Sequence, residues 1–201
     1  MLRVALTGGI ATGKSHVRAR FEALGAPTID SDLLARDAVR PGTAGLRAVV
    51  RRFGEDVLDG RGALDRRRLG TVVFADPSAR RDLEAIVHPF VREETERWFL
   101  RLAERGAPLG IADIPLLYEV GLERDFDAVI VAACAPATQI VRVMARDQMS
   151  EAEARQRIAA QLPIEEKVRR ADYVIDTSGA IEETDARVET VYRALRERTN
   201  A

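Results

Sequence analysis

Eight residues near the N-terminus, Gly8 to Ser15 in "ALTGGIATGKSHV", constrain this chain more than any other stretch. They fit the spacing G-x-x-x-x-G-K-[ST], in which a glycine-rich turn lets several backbone N–H groups converge on one oxyanion. What flanks the pattern matters as much as its letters. Leu2 to Thr7 is a short β-prone apolar run, and Val17, Phe21 and Leu24 recur at helical spacing until Gly25 stops them. A turn carrying only a surface lysine would match the letters, but strand, loop and helix in that order are the context in which the loop binds phosphate. Gly8, Gly9 and Gly13 then open the backbone, and the helix N-terminus adds its positive end. Lys14 neutralises β/γ-phosphate charge, and Ser15 offers a hydroxyl to Mg²⁺.

Composition supports one exception at this loop. Of 31 basic residues only Lys14 and Lys167 are lysines, so the chain otherwise prefers arginine. A compact ammonium fits within a ring of amides where a planar guanidinium does not. Elsewhere the composition mainly excludes. Apolar residues make up 46% and the net charge is -1, which argues against disorder and against whole-surface attraction to nucleic acid or anionic membrane. The single cysteine, Cys134, forms no internal disulfide and no multi-thiolate metal site. No leader pattern opens the chain and no apolar run nears the ~20 residues that span a bilayer. The expectation is a cytoplasmic protein with neither membrane nor nucleic-acid partners.

The rest of the chain reads as an α/β fold with a helical interruption. After a second short strand, "APTID", the segments "DLLARDAV", "AGLRAVVRRF", "DRRRLGTVVF" and "SARRDLEAIVHPFVREETERWFLRLAERG" are helical, punctuated by Pro41-Gly42, Asp59-Gly60 and Asp76-Pro77. Strand and helix then alternate again. "LGIADI", "DAVIVAA" and "YVID" are strands; "ATQIVRVMARD", "SEAEARQRIAAQL" and Ile181 to Arg198 are helices. Five near-continuous apolar strands with helices between them predict a P-loop NTPase-type parallel five-stranded sheet covered by helices. Residues 1–30 and 106–201 would form that core, and 31–105 a mainly helical insertion.

A P-loop fixes a nucleotide triphosphate and leaves the reaction open: a phosphotransferase, a GTPase-type switch or a structural ATPase module. Guanine selection by N-K-x-D fails because the one asparagine is Asn200, and the D-x-x-G string at Asp176 to Gly179 follows the last strand rather than a middle one. A kinase needs a carboxylate where an acceptor hydroxyl meets the γ-phosphate. "IDSD" offers Asp30 and Asp32 at the end of the second strand, where they also suit helix capping. Asp113, at the tip of "LGIAD", stands where an acid holding the Mg²⁺ hydration shell belongs, or simply closes a strand.

With "LTGGIATGKS", "IDSDLLAR", "HP" at His88 and Pro89, "DIPLLYE", "QIVRVMARD", "SEAEARQRIAAQ" and "ADYVID", the chain resembles the dephospho-CoA kinases nearly end to end. The resemblance implies ATP-dependent phosphorylation of the ribose 3′-hydroxyl of dephospho-CoA with Mg²⁺, the last step of coenzyme A synthesis. It also implies a helical substrate domain in the inserted position and a small helical lid at about 140–165. By position it makes Asp32 the catalytic base alongside Lys14, and has Arg36 hold substrate. Gly8, Gly9, Ala11, Thr12, Gly13, Lys14, Ser15 and His16 would bind the ATP phosphates. His88 would lie near the substrate, although its apolar neighbours also suit a histidine packed at a helix kink. Arg142 and Arg146, four apart, would reach ATP from the lid, the alternative being pairing with Asp147 or Glu151 on the surface. Two positions depart from the family pattern: His16 replaces a hydroxyl-bearing residue, and Thr177 stands where asparagine is common. Tyr118 and Glu119 suit a structural role, Trp98 and Phe99 the core of the insertion, and Arg66 to Arg68 a solvated helix face or a partner for the substrate pyrophosphate. A monomer is favoured. Another small-molecule or nucleoside kinase, or a non-catalytic nucleotide-binding module, is the competing reading.

Overall fold

The computed structural model describes residues 1–199, so Asn200 lies outside them. In chain order the elements are β1 (Leu2–Gly8), α1 (Lys14–Ala23), β2 (Thr28–Asp30), α2 (Ser31–Ala38), α3 (Ala44–Phe53), α4 (Arg66–Ala75), α5 (Pro77–Glu104), β3 (Leu109–Asp113), β4 (Ala128–Ala133), α6 (Pro136–Asp147), α7 (Glu151–Ala159), α8 (Ile164–Arg169), β5 (Tyr173–Asp176) and α9 (Ile181–Arg198). The strands lie in the order β2-β3-β1-β4-β5. The ladders β1–β3, β1–β4 and β4–β5 are all parallel, with Leu2 opposite Leu109 and Thr7 opposite Val131.

Side chains of β1 alternate between two apolar layers, as a strand buried on both faces requires. Val4 and Leu6 pack with Val17 and Phe21 of α1, Ile130, Ile175, and Val188 and Leu195 of α9. Ala5 faces the other way, into a layer with Leu117, Val129, Val131 and Ile164. Helix α8 was not anticipated from the sequence, because six residues after Pro163 carry too little periodicity to register. "LLYEVGL" forms turns.

The chain divides into two compact units, Met1–Ile29 with Phe99–Ala201, and Asp30–Trp98. The second has its own core of Ala38, Val39, Val49, Val57 and Leu69, against which Leu83, Val87 and Phe90 pack. Arg66, Arg67 and Arg68 lie on the exposed side of α4. Phe99 corrects an expectation: it is 1% exposed within the sheet-containing unit, edge-on to Phe126 and under the Arg3 guanidinium, not in the helical one. A single uninterrupted helix, α5, runs through residue 98, so periodicity gave no sign of the change of core.

Candidate active site

Parallel strands deliver their carboxyl ends to one edge of the sheet, and the strand order switches sides at β1, with β3 and β2 on one side and β4 and β5 on the other. That is where open α/β sheets hold ligands. Gly8, Asp113, Ala133 and Asp176 end β1, β3, β4 and β5 there. The loop leaving β1 is built by close approach. A Cβ on Gly8 would stand 2.6 Å from the Ala132 carbonyl and 2.6 Å from Thr12 Oγ1; one on Gly9 would stand 2.5 Å from Gln139 Nε2. Ala11 and Gly13 take left-handed backbone, with φ of 57° and 77°, a turn that points successive amides inward. Thr12 is buried and donates its hydroxyl to the Gly9 carbonyl at 2.9 Å. No side chain caps the N-terminus of α1, leaving its first N–H groups for an anion.

Lys14 Nζ donates to the Asp113 carboxylate, which is 2% exposed and also lies 3.8 Å from Arg18 Nε. The structure thus brings together the lysine and acid read from the sequence. Ser15 is exposed in the first turn of α1. The His16 imidazole points to α9, with Nε2 2.7 Å from Asp185 Oδ1, so that side chain ties two helices together.

Four residues hold the loop in place, and two of them, Gln139 and Gln161, gave no sign in the sequence. Both backbone groups of Ile10 are engaged: its N–H donates to Gln161 Oε1 at 2.8 Å, and its carbonyl accepts from Gln139 Nε2 at 2.8 Å. Lys167 is completely buried and reaches the Gly8 carbonyl, the Pro115 carbonyl and Glu119. Thr177, 5% exposed, donates Oγ1 to the Thr12 carbonyl at 2.7 Å, with the Ala133 carbonyl at 3.1 Å. Arg142 in turn donates to the Thr177 carbonyl at 2.7 Å. Arg146 follows the surface alternative and forks onto Asp147 at 2.7 and 2.9 Å, an acid shared with Arg157.

In the helical unit, Asp30 caps α2, its Oδ1 accepting from the N–H groups of Asp32 and Leu33 at 2.8 and 3.3 Å. This leaves the Asp32 side chain exposed in the first turn, with exposed Arg36 one turn on and on the same face. His88 is also exposed on α5, which corrects the packed reading; Val87 and Phe90 face the core instead.

Two protonation equilibria near the core are displaced. Burial pushes the Tyr118 phenol up to about 12, with Arg170 over its ring partly opposing. Burial also raises the Cys134 thiol, against the pull of Arg142. At the sheet edge, hydrogen bonds from Ser178 hold the Asp176 carboxyl below its ordinary value.

The sequence profile described as "Dephospho-CoA kinase" matches residues 2–183. The chain belongs to the dephospho-CoA kinase family. A dephospho-CoA kinase of Anaeromyxobacter dehalogenans is 51% identical over 193 residues, spanning 96% of this chain and 92% of that one. One from Geobacter sulfurreducens is 48% identical, spanning 94% and 96%. Among solved structures, the dephospho-CoA kinase from Campylobacter jejuni superposes with a TM-score of 0.75 at 26% identity, over 97% of both chains. A shikimate kinase from Acinetobacter baumannii, at 18% identity and a TM-score of 0.54, shares the fold. The five-stranded sheet flanked by helices is therefore that of the P-loop kinases. No helix among the described residues is long and apolar enough to cross a membrane.

Proposed function

We propose that this chain transfers the γ-phosphoryl group of ATP to the ribose 3′-hydroxyl of dephospho-CoA, giving coenzyme A and ADP. The observation that carries the reading is the Gly8–Ser15 loop, ending on an uncapped helix with Lys14 drawn onto Asp113, in a chain of this family. Lys14 is held in place by Asp113 until triphosphate enters, when the ammonium exchanges one set of anionic oxygens for another. The loop amides and the start of α1 receive the β-phosphate oxygens, and Lys14 spreads its charge over the β/γ bridge.

Among the described residues no cluster of three or more His, Cys, Asp or Glu could hold a metal by itself. The Ser15 hydroxyl and the Asp113 carboxylate, one at the start of α1 and one at the tip of β3, fit Mg²⁺, which keeps most of its waters and takes one or two protein groups plus the phosphates. Ser15 and Asp113 are the residues that would hold it, directly and through water, and it would supply neutralisation of the developing charge. Asp32 takes the proton of the attacking hydroxyl, Arg36 and His88 bind the acceptor, and Arg142, with Arg146 in support, brings positive charge to ATP from a lid at about 140–165. The helical unit serves as the acceptor domain. The single thiol suits a reducing cytoplasm, the near-zero net charge suits small-molecule rather than nucleic-acid or membrane partners, and a monomer is the favoured state.

ADP release should be measured with dephospho-CoA beside shikimate, gluconate and nucleosides as acceptors, with the product phosphate located by NMR. Turnover confined to dephospho-CoA and a 3′-phosphate product are expected. Preference for another acceptor would make the chain a different small-molecule kinase, and MgATP binding without transfer to any would make it a binding module.

A further inference from the structure

Two charged side chains are buried among the described residues, Asp113 and Lys167, and both stand at the nucleotide edge of the sheet. Asp113 answers Lys14. The ammonium of Lys167 on α8 has three N–H groups and three acceptors: the Gly8 carbonyl at 3.2 Å, the Pro115 carbonyl at 3.3 Å and Glu119 Oε1 at 2.8 Å. None is left over for a ligand. Gly8 is the residue at which β1 becomes the phosphate loop, and Pro115 lies two residues beyond Asp113. One nitrogen therefore fixes, from behind, the two peptide segments that carry Lys14 and Asp113.

Stability does not explain such a group. Taking the Lys167 ammonium out of water is costly, its one carboxylate partner, Glu119, reaches solvent, and apolar replacements of buried charges are often neutral or stabilising. Composition points the same way: in a chain with 31 basic residues, both lysines converge on this loop. Three acceptors gathered about one point suit a tetrahedral ammonium and not a planar fork. Glu119 has a second duty, since Oε1 also accepts the Leu162 N–H at 3.0 Å, next to the Gln161 side chain that holds Ile10.

We propose that Lys167 is a positioning residue for phosphoryl transfer, setting the spacing between the phosphate loop and the Asp113 segment. The proposal rests on the kinase reading above. Displacing reacting groups by about 1 Å costs on the order of 10²-fold in rate, which is the scale a loosened spacing would reach.

The test uses the full chain and three variants, Lys167→Met, Lys167→Arg and Lys167→Met/Glu119→Gln. The double variant removes both charges and keeps an acceptor for Leu162. It should melt at or near the parent temperature, yet lose roughly 10–100-fold in kcat, hold its KM for dephospho-CoA, and bind MgADP several-fold more weakly. Lys167→Arg keeps the charge without the three-point geometry and should show the same split in milder form; it also serves if the Met variants do not fold. Recovery of both melting temperature and kcat in the double variant would make Lys167 a purely structural residue and overturn the proposal. Parental kinetics in Lys167→Arg would do so too. A wrong acceptor assignment would look different: the parent itself would be inactive with dephospho-CoA, while the MgADP comparison still decides the role of Lys167.

Discussion

Replacing Thr177 with valine tests whether the phosphate loop is latched from the last strand. The substitution keeps the β-branched shape in a site that is 5% exposed, so it changes chemistry with little change of volume. It removes the hydroxyl that donates to the Thr12 carbonyl at 2.7 Å and that lies 3.4 Å from an Arg142 N–H. A buried carbonyl left without its donor costs about 1–3 kcal/mol. In a chain of 201 residues each kcal/mol moves the melting temperature by about 2–4 °C, so Thr177→Val should melt roughly 2–12 °C lower. The damage should also be visible in ligand linkage, because Thr12 sits in the loop itself. A tenfold weaker MgADP site gives up ~1.4 kcal/mol of ligand stabilisation at saturating nucleotide, or about 3–6 °C of the shift. Differential scanning calorimetry of parent, Thr177→Val and Thr177→Ser, each with and without MgADP, measures both. Serine keeps the hydroxyl and should preserve the ligand shift. If valine melts within about 1 °C of the parent and retains the full MgADP shift, the latch does not exist.

Gly8→Ala and Gly9→Ala should part company: the first drives a Cβ into the Ala132 backbone and should impair folding and nucleotide binding, whereas the second meets side chains, the end of Gln139 and the Thr12 methyl, and should mainly weaken MgATP binding, both read by thermal melts and titration calorimetry. Asp32→Asn should lower kcat by on the order of 10²–10⁴ with MgATP affinity nearly kept, and a mild effect beside a severe one for Asp113→Asn would reassign the base. Steady-state kinetics should separate Arg142→Ala, with a loss in kcat/KM well beyond the ~0–1 kcal/mol of a surface pair, from Arg146→Ala, whose partner is the neighbouring Asp147. Because burial raises the Cys134 thiol above its ordinary pKa, the folded state favours the neutral thiol and loses that preference as pH rises through the raised value. Iodoacetamide should label it slowly at neutral pH, and in Arg142→Ala, which lacks the opposing guanidinium, more slowly still.

The sheet and the loop were legible because each rests on local rules: apolar runs bounded by turn residues for β1, β3, β4 and β5, and glycine spacing for Gly8 to Gly13. Lys14 was legible from the loop spacing and Asp113 from its place at the tip of β3, but not the contact between them. What escaped was set by contacts distant in sequence. Gln139 and Gln161 read as ordinary polar positions on helices, and only the fold brings both to Ile10. Lys167 did carry a signal, as the second exception to the arginine preference, but helix α8 is too short for its inward face to show in the periodicity. His88 misled because its apolar neighbours Val87 and Phe90 pack inward while the imidazole, a position between them, does not.

The central place of β1 has a consequence for how the protein is made. Leu2 pairs with Leu109 on one side, and Val4 with Ala128 on the other, so β1 leaves the ribosome about 100 residues before either neighbour. At about 5–20 residues per second the wait lasts roughly 5–20 s, during which an apolar, edge-competent segment is exposed. The Asp30–Trp98 segment, whose contacts are close in sequence, has no such delay and can condense in the interval. Nascent chains stalled after Glu104 should therefore show protease resistance within Asp30–Trp98 and cleavage near Leu2–Gly8, with protection of the latter appearing only once β4 has emerged. Early protection of β1 would mean that it first pairs with something other than its final neighbours.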